Sequence, residues 1–137
     1  MRKAFLIAIV AIFAAVFTPQ TSHAQPVEAS FLSIADYLVA RSNVTLLDVR
    51  SKNSRANSQQ GIEGEVWIDP HSGDALNQFV GSADKSKPYV IFCSCVDDNY
   101  SVRAAQILTK NGFELVFVLR GGWDSLKSVG IEMIPLQ

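Results

Sequence analysis

Three short apolar blocks punctuate the chain: VTLLDV at Val44–Val49, YVIF at Tyr89–Phe92 and LVFVL at Leu115–Leu119. Each is nearly unbroken and rich in β-branched or aromatic side chains, without the alternation of a strand that has one wet face. Such runs predict strands buried on both sides, as in a parallel sheet covered by helices. Between them the period changes. Leu32, Ala35, Leu38 and Val39 recur at helical spacing beside a capping Ser33, which predicts a helix over Ser33–Arg41. Val102, Ala105, Ile107 and Leu108 predict another over Ser101–Lys110, with Asn111-Gly112 as its left-handed stop. A weaker helix is expected at Asp74–Val80, a turn at Lys85–Pro88, a brief strand at Val66–Ile68 and a closing helix at Trp123–Ser128. Ser51–Gln60 is polar apart from Ala56 and predicts a surface loop, while Gln25–Ser30 reads as a short lead into the domain. Strands alternating with helices imply an open α/β sheet.

A longer apolar block, Ala4–Phe17, follows Arg2 and Lys3 and precedes Ser22 and Ala24, which suit the −3 and −1 positions of a cleavage site. This is the pattern of a secretory signal peptide. The block falls short of the ~18–20 apolar residues that a membrane span needs. The expectation is a leader over residues 1–24 and one domain over 25–137, periplasmic or secreted and not embedded in a membrane after cleavage. Losing the leader removes two of the 12 basic residues and none of the 13 acidic ones, for a mature net charge of −3. No basic stripe is present to hold nucleic acid, so that class of partner is set aside. The domain is expected to act as a monomer.

The compartment favours disulfides, and the chain's two cysteines both lie in FCSCVDDNYSVRAAQIL, Phe92–Leu108. In a parallel α/β sheet, ligands bind beyond the carboxyl ends of the strands. Cys93 is expected at such an end, just before a helix that begins near Asn99–Ser101. Unpaired N–H groups and the helix dipole there favour a thiolate, so Cys93 is expected to be a nucleophile rather than an inert core thiol. Cys95 is open to several readings: a resolving thiol, a second sulfur carrier, a metal ligand or a loop residue facing solvent. His71 is the sole histidine after the leader, and two thiolates make a poor zinc site, so no metal is expected.

The segments LLDVR at Leu46–Arg50, Gly61-Ile62-Glu63-Gly64, VIFC at Val90–Cys93, Ala104-Ala105-x-x-Leu108 and LRGGW at Leu119–Trp123, in this order, resemble the rhodanese family of sulfurtransferases. The resemblance implies a three-layer α/β fold with a central parallel five-stranded sheet and helices on both faces. It also implies a persulfide carried on Cys93 and cradled by the loop of Ser94, Cys95, Val96, Asp97, Asp98, Asn99 and Tyr100. Arg50 would help to bind substrate, with Asp48 and Arg120 in support. No cofactor is implied, and the partners would be a small-molecule or protein sulfur donor and a thiol acceptor. The family's loop follows a Cys-x-x-Gly-x-Arg-like pattern. The run CSCVDDNYS is longer and contains neither glycine nor arginine, so a Cys-x-Cys variant is expected. Asp97 and Asp98 would repel thiosulfate or, alternatively, serve only at the helix N-terminus. Two other readings stay open: a thiol–disulfide redox or sensor protein that cycles Cys93 and Cys95, and a non-catalytic rhodanese-like binding module. A phosphatase would need an arginine six residues after its cysteine, whereas the first arginine after Cys93 is Arg103.

Overall fold

The three apolar blocks lie side by side at the centre of one parallel sheet. The computed structural model describes residues 27–136; the expected leader lies outside them. In chain order the elements are β1 (Ser30–Leu32), α1 (Ile34–Ala40), β2 (Thr45–Asp48), α2 (Lys52–Ser58), β3 (Gln60–Gly61), β4 (Val66–Trp67), α3 (Ala75–Ser82), β5 (Pro88–Phe92), α4 (Asn99–Lys110), β6 (Leu115–Leu119), α5 (Gly122–Ser128) and β7 (Ile134–Pro135). The main sheet runs β1-β6-β5-β2-β4 with every neighbouring pair parallel, and β3 and β7 form a separate antiparallel pair. The expected five-stranded parallel sheet is therefore present, and its carboxyl ends share one edge.

Side-chain alternation along the strands divides the core into two layers. Leu47, Tyr89, Ile91, Val116 and Val118 face Ala104, Ala105 and Leu108 of α4 and Leu76, Phe79 and Val80 of α3. Leu46, Val90, Phe92 and Leu119 point the opposite way, onto Tyr37 of α1 and Trp123 and Leu126 of α5. A strand with both faces covered takes a polar residue only where it is paired, as Asp48 is at the end of β2, which is why these blocks read as nearly continuous apolar runs.

Two expectations need correction. Ser51–Gln60 is not a loop: Ser51 Oγ accepts the Ser54 N–H at 3.2 Å and caps α2, and Gln59 closes that helix with a left-handed backbone. With no apolar stripe, α2 gives no periodic signal; it is held by its cap and by polar contacts from Arg55 and Ser58. Ser30, the last residue of the expected lead-in, already belongs to β1, a short edge strand on β6.

Candidate active site

Tyr89, Ile91 and Cys93 occupy successive same-face positions along β5, so the first cysteine continues the strand's inward-pointing row. Cys93 is 1% exposed and belongs to the core layer under α4. It forms a disulfide with Cys95 across a Cα–Cα distance of 5.6 Å. Cys93, the expected nucleophile, sits at the sheet's carboxyl edge as expected, but its side chain points into the core rather than the loop and its sulfur is bonded. Cys95, two residues on and clear of the strand, is partly exposed and rests against the rim of the same layer.

From Cys95 the chain turns directly into α4. The Asp98 N–H donates to the Cys95 carbonyl at 3.4 Å, the one backbone N–H from Ser94 to Asp98 with an acceptor among the described residues. Asp98 takes a left-handed backbone, φ 55°, a conformation that glycine adopts most readily. In the Cys-x-x-Gly-x-Arg-like pattern the glycine stands three residues after the cysteine. Here the left-handed residue stands three after Cys95, so the loop registers on Cys95 and Tyr100 falls at the arginine position. Counted this way the loop is not long; Cys93 is the extra residue, placed inside the strand's row.

Asp98 begins α4 but does not cap it. Its side chain is buried and turns away, with Oδ2 accepting the Gly121 N–H at 3.0 Å. The other carboxylate oxygen and the buried Ser101 hydroxyl have no partner among the described residues. The first N–H groups of α4 are therefore free of side-chain caps, as an anion-receiving helix start requires.

The LRGGW segment locks this loop from the other side. The Trp123 N–H donates to the Cys93 carbonyl at 2.8 Å. A Cβ at Gly122, where φ is 45°, would collide with that carbonyl oxygen. Gly122 is thus needed both for its backbone angle and for the close approach of α5 to the cysteine segment. Sequence reasoning named this motif for its likeness and missed its mechanical role.

Arg50 requires a second correction. It is 1% exposed, and all three guanidinium nitrogens are engaged: Nε with Asp48 Oδ1 at 3.0 Å, Nη2 with Asp48 Oδ2 at 2.8 Å and the Gln60 carbonyl at 2.9 Å, and Nη1 with Ser58 Oγ at 3.0 Å. Its carbon Cζ lies 3.7 Å from the centre of the Trp123 ring. Arg50 holds Asp48 and packs on the indole; four of its five N–H donors are engaged and its side chain is fully buried, out of reach of a substrate anion. Asp48 supports the same structure and is itself buried, shared between Arg50 and Arg55. Arg55 also meets Glu65 at 2.6 Å, which completes a cluster of two arginines and two carboxylates. Burial pushes the Glu65 carboxyl above its ordinary range, with Asp48 adding to the effect and Arg55 opposing it. Neither Arg55 nor Glu65 was singled out from sequence, because each lies in a polar stretch without a motif. Arg120 is exposed, and its guanidinium stacks over Phe31 of the edge strand, 4.5 Å from the ring centre, rather than bracing the loop.

The remaining loop residues face outward. Ser94, Val96, Asp97 and Asn99 are exposed, and Asp97 accepts from the Asn99 side-chain amide at 2.7 Å. Tyr100 leans edge-on against His71, 5.3 Å between ring centres. Beside it a cleft of about 160 Å³ opens between α3 and α4, with Asp69, Leu76, Tyr100, Arg103 and Ile107 in its wall; neither cysteine lines it. Among the described residues no three His, Cys, Asp or Glu side chains converge as a metal-holding group, and no helix is long and apolar enough to cross a membrane.

The sequence model described as "Rhodanese-like domain" matches residues 33–128. The chain is 32% identical over 83 residues to a thiosulfate sulfurtransferase GlpE of Shewanella oneidensis, covering 61% of this chain and 75% of that protein. It is 35% identical over 85 residues to the GlpE of Ectopseudomonas mendocina, covering 61% and 72%. Among solved structures, a rhodanese-related protein from Thermoplasma volcanium superposes with a TM-score of 0.63 at 21% identity, covering 77% of this chain and 97% of that one. The Alr3790 protein from Anabaena sp. gives a TM-score of 0.63 at 23% identity, covering 77% and 82%. These structural likenesses carry the fold.

Proposed function

The chain belongs to the rhodanese-like domain family, and from that premise we propose that it is a sulfurtransferase that carries sulfane sulfur as a persulfide on its Cys93/Cys95 pair. One observation carries the reading: both cysteines lie at the carboxyl end of β5, directly ahead of the uncapped start of α4. Free N–H groups at a helix start favour a thiolate and the anionic sulfur of a persulfide alike. The likeness to thiosulfate sulfurtransferases supports the reaction class. In the oxidised form neither sulfur is a nucleophile, so the reading requires reduction of the pair before sulfur is taken up. A thiolate then attacks the outer sulfur of the donor, the donor's remainder leaves, and the persulfide passes that sulfur to a thiol acceptor. We place this work outside the cytoplasm, as a monomer. The basic and apolar leader supports the location, as does a disulfide of the kind that persists there.

The pairing of the two sulfurs also favours a thiol–disulfide reading, in which the pair exchanges electrons and never holds a persulfide. Mass spectrometry separates the two. Reduced protein mixed with thiosulfate or with glutathione persulfide and trapped during the first turnover, by cyanide or by an alkylating agent, should yield one donor-derived sulfur, as thiocyanate or as an alkylated persulfide on a cysteine-containing peptide. A protein that passes only between dithiol and disulfide, with no sulfur trapped from either donor, would overturn the sulfurtransferase reading.

A further inference from the structure

We propose that Cys95 receives the sulfur and that Cys93 then resolves it, so that the protein reduces sulfane sulfur to hydrosulfide and ends each turn as the Cys93–Cys95 disulfide. The inference rests on the sulfurtransferase reading and assigns the work of its two sulfurs. Three observations point to this division. Cys93 is 1% exposed and lies in the core under α4, so a bulky donor does not reach its sulfur. Cys95 is partly exposed and stands three residues ahead of Asp98, the left-handed residue that starts α4. The two sulfurs also meet without any displacement of the strand, since the disulfide is compatible with the Cys93 carbonyl holding the Trp123 N–H at 2.8 Å. A thiol that sits in bonding reach of the carrier and away from solvent is placed to attack the carrier before an outside acceptor does.

The Cys95 thiolate attacks the outer sulfur of a thiol-bound persulfide, the donor's S–S bond breaks, and the donor leaves as a thiolate. Cys95 now carries an S–S⁻ group. The Cys93 thiol gives up its proton and attacks Cys95 Sγ, the inner sulfur of that persulfide. The bond from Sγ to the outer sulfur breaks, the outer sulfur leaves with the proton as hydrosulfide, and the Cys93–Cys95 bond forms. Two thiols are oxidised and one sulfane sulfur is reduced. A dithiol reductant returns the pair by attack at Cys95, the accessible sulfur of the disulfide, releasing Cys93 first. The chain's two cysteines are spent in this step, so turnover depends on that outside dithiol.

The test is a single turnover of fully reduced protein with glutathione persulfide and no added thiol. Native protein should release one hydrosulfide for each disulfide formed and stop, then resume when dithiothreitol is supplied. Cys93→Ser should take up one sulfur on Cys95 and hold it, losing the burst of hydrosulfide. Cys95→Ser should take up none. In native protein, brief alkylation after reduction should label Cys95 about tenfold or more faster than Cys93, a readout that needs no variant. Sulfur retained by Cys95→Ser and lost by Cys93→Ser, or equal labelling of the two thiols, would overturn the assignment. A native protein that accumulates persulfide without hydrosulfide would overturn the resolving step while leaving the sulfurtransferase reading intact. No sulfur uptake at all would overturn both.

Discussion

The Asp98 carboxylate accepts the Gly121 N–H at 3.0 Å, a bond across 23 residues of chain that ties the start of α4 to the start of α5. Its other oxygen is buried without a partner among the described residues. An amide of the same shape keeps the acceptor, removes the buried charge and tolerates the left-handed backbone. Alanine loses the acceptor and is strained at φ 55°. Asp98→Asn should therefore stay within about 1 kcal/mol of the native stability, whereas Asp98→Ala should lose roughly 1–3 kcal/mol. Urea denaturation of the oxidised proteins measures both, and equal losses would show that the bond to Gly121 contributes nothing.

Gly122 sets a steric limit on the same segment. Its backbone is left-handed, and a Cβ there would strike the Cys93 carbonyl, the acceptor for Trp123 N–H. Gly122→Ala must either push α5 away from the cysteine segment or accept the strain, at a cost of about 1–3 kcal/mol. The displaced α5 would also expose Cys93. Thermal denaturation reports the stability, and the rate of Cys93 alkylation in reduced protein should rise in the variant. A variant as stable as the native protein with Cys93 still shielded would contradict this account of the GGW segment.

Arg50 is the largest of the fully buried side chains, and Asp48 beside it is also fully buried. Arg50→Met keeps the bulk against Trp123 but leaves Asp48 with Arg55 as its remaining cationic partner. Removing one member of a buried pair costs roughly 3–5 kcal/mol, because the other charge is left without compensation. The double change Arg50→Met, Asp48→Leu should recover much of that loss. Chemical denaturation of both variants checks it. A single variant with near-native stability would mean that Arg55 alone satisfies Asp48.

The central strands, α1 and α4 were legible because a nearly unbroken apolar run marks a strand covered on both faces and an apolar helical period marks each helix. Helix α2 was not, since Ser51, Arg55 and Ser58 stabilise it through polar contacts that no period reveals. The family likeness pointed to the loop after β5, yet which of its two cysteines is buried depended on one step of strand alternation. YVIF reads as ending at Phe92, but the inward row Tyr89, Ile91, Cys93 continues one residue further, which buries the first cysteine and leaves the second at the loop. The misplacement of Arg50 has a similar source. A basic residue at a strand end looks like an anion clamp until the acceptors around it, Asp48, Ser58 and the Gln60 carbonyl, come from elements that sequence spacing does not bring together.

Glu65 gives a pH signature to that buried cluster. Burial raises its folded-state pKa above the ordinary value of 4.5. The folded protein therefore binds this proton more tightly than the unfolded chain does. Stability falls as pH rises from about 4.5 through the raised folded value, and is flat in this group's contribution on either side of that window. Glu65→Gln removes the titration and keeps one acceptor oxygen, for either Arg55 or the Ile62 N–H. Stability measured by urea at a series of pH values should show a shallower decline in the variant across that window. A native profile with the opposite slope, removed by Glu65→Gln, would mean that Arg55 outweighs burial.

The last relationship concerns charge at the mouth of the loop. Asp98 is buried and bonded to Gly121, so of the two adjacent carboxylates Asp97 is the one exposed beside Cys95. An exposed carboxylate so close to the sulfur acceptor opposes a dianionic donor, by an amount that salt screens. Thiosulfate should then be a weaker substrate than a persulfide of lower charge. Asp97→Asn should raise kcat/KM for thiosulfate roughly two- to fivefold at low ionic strength, with the gain shrinking as salt is added. The rate with a neutral alkyl persulfide should change much less, because there is little charge to repel. Asp97 also accepts the Asn99 side-chain amide at 2.7 Å. A variant that altered the loop's shape rather than its charge would change both donors alike and would do so independently of salt, and that outcome would rule out an electrostatic role for Asp97.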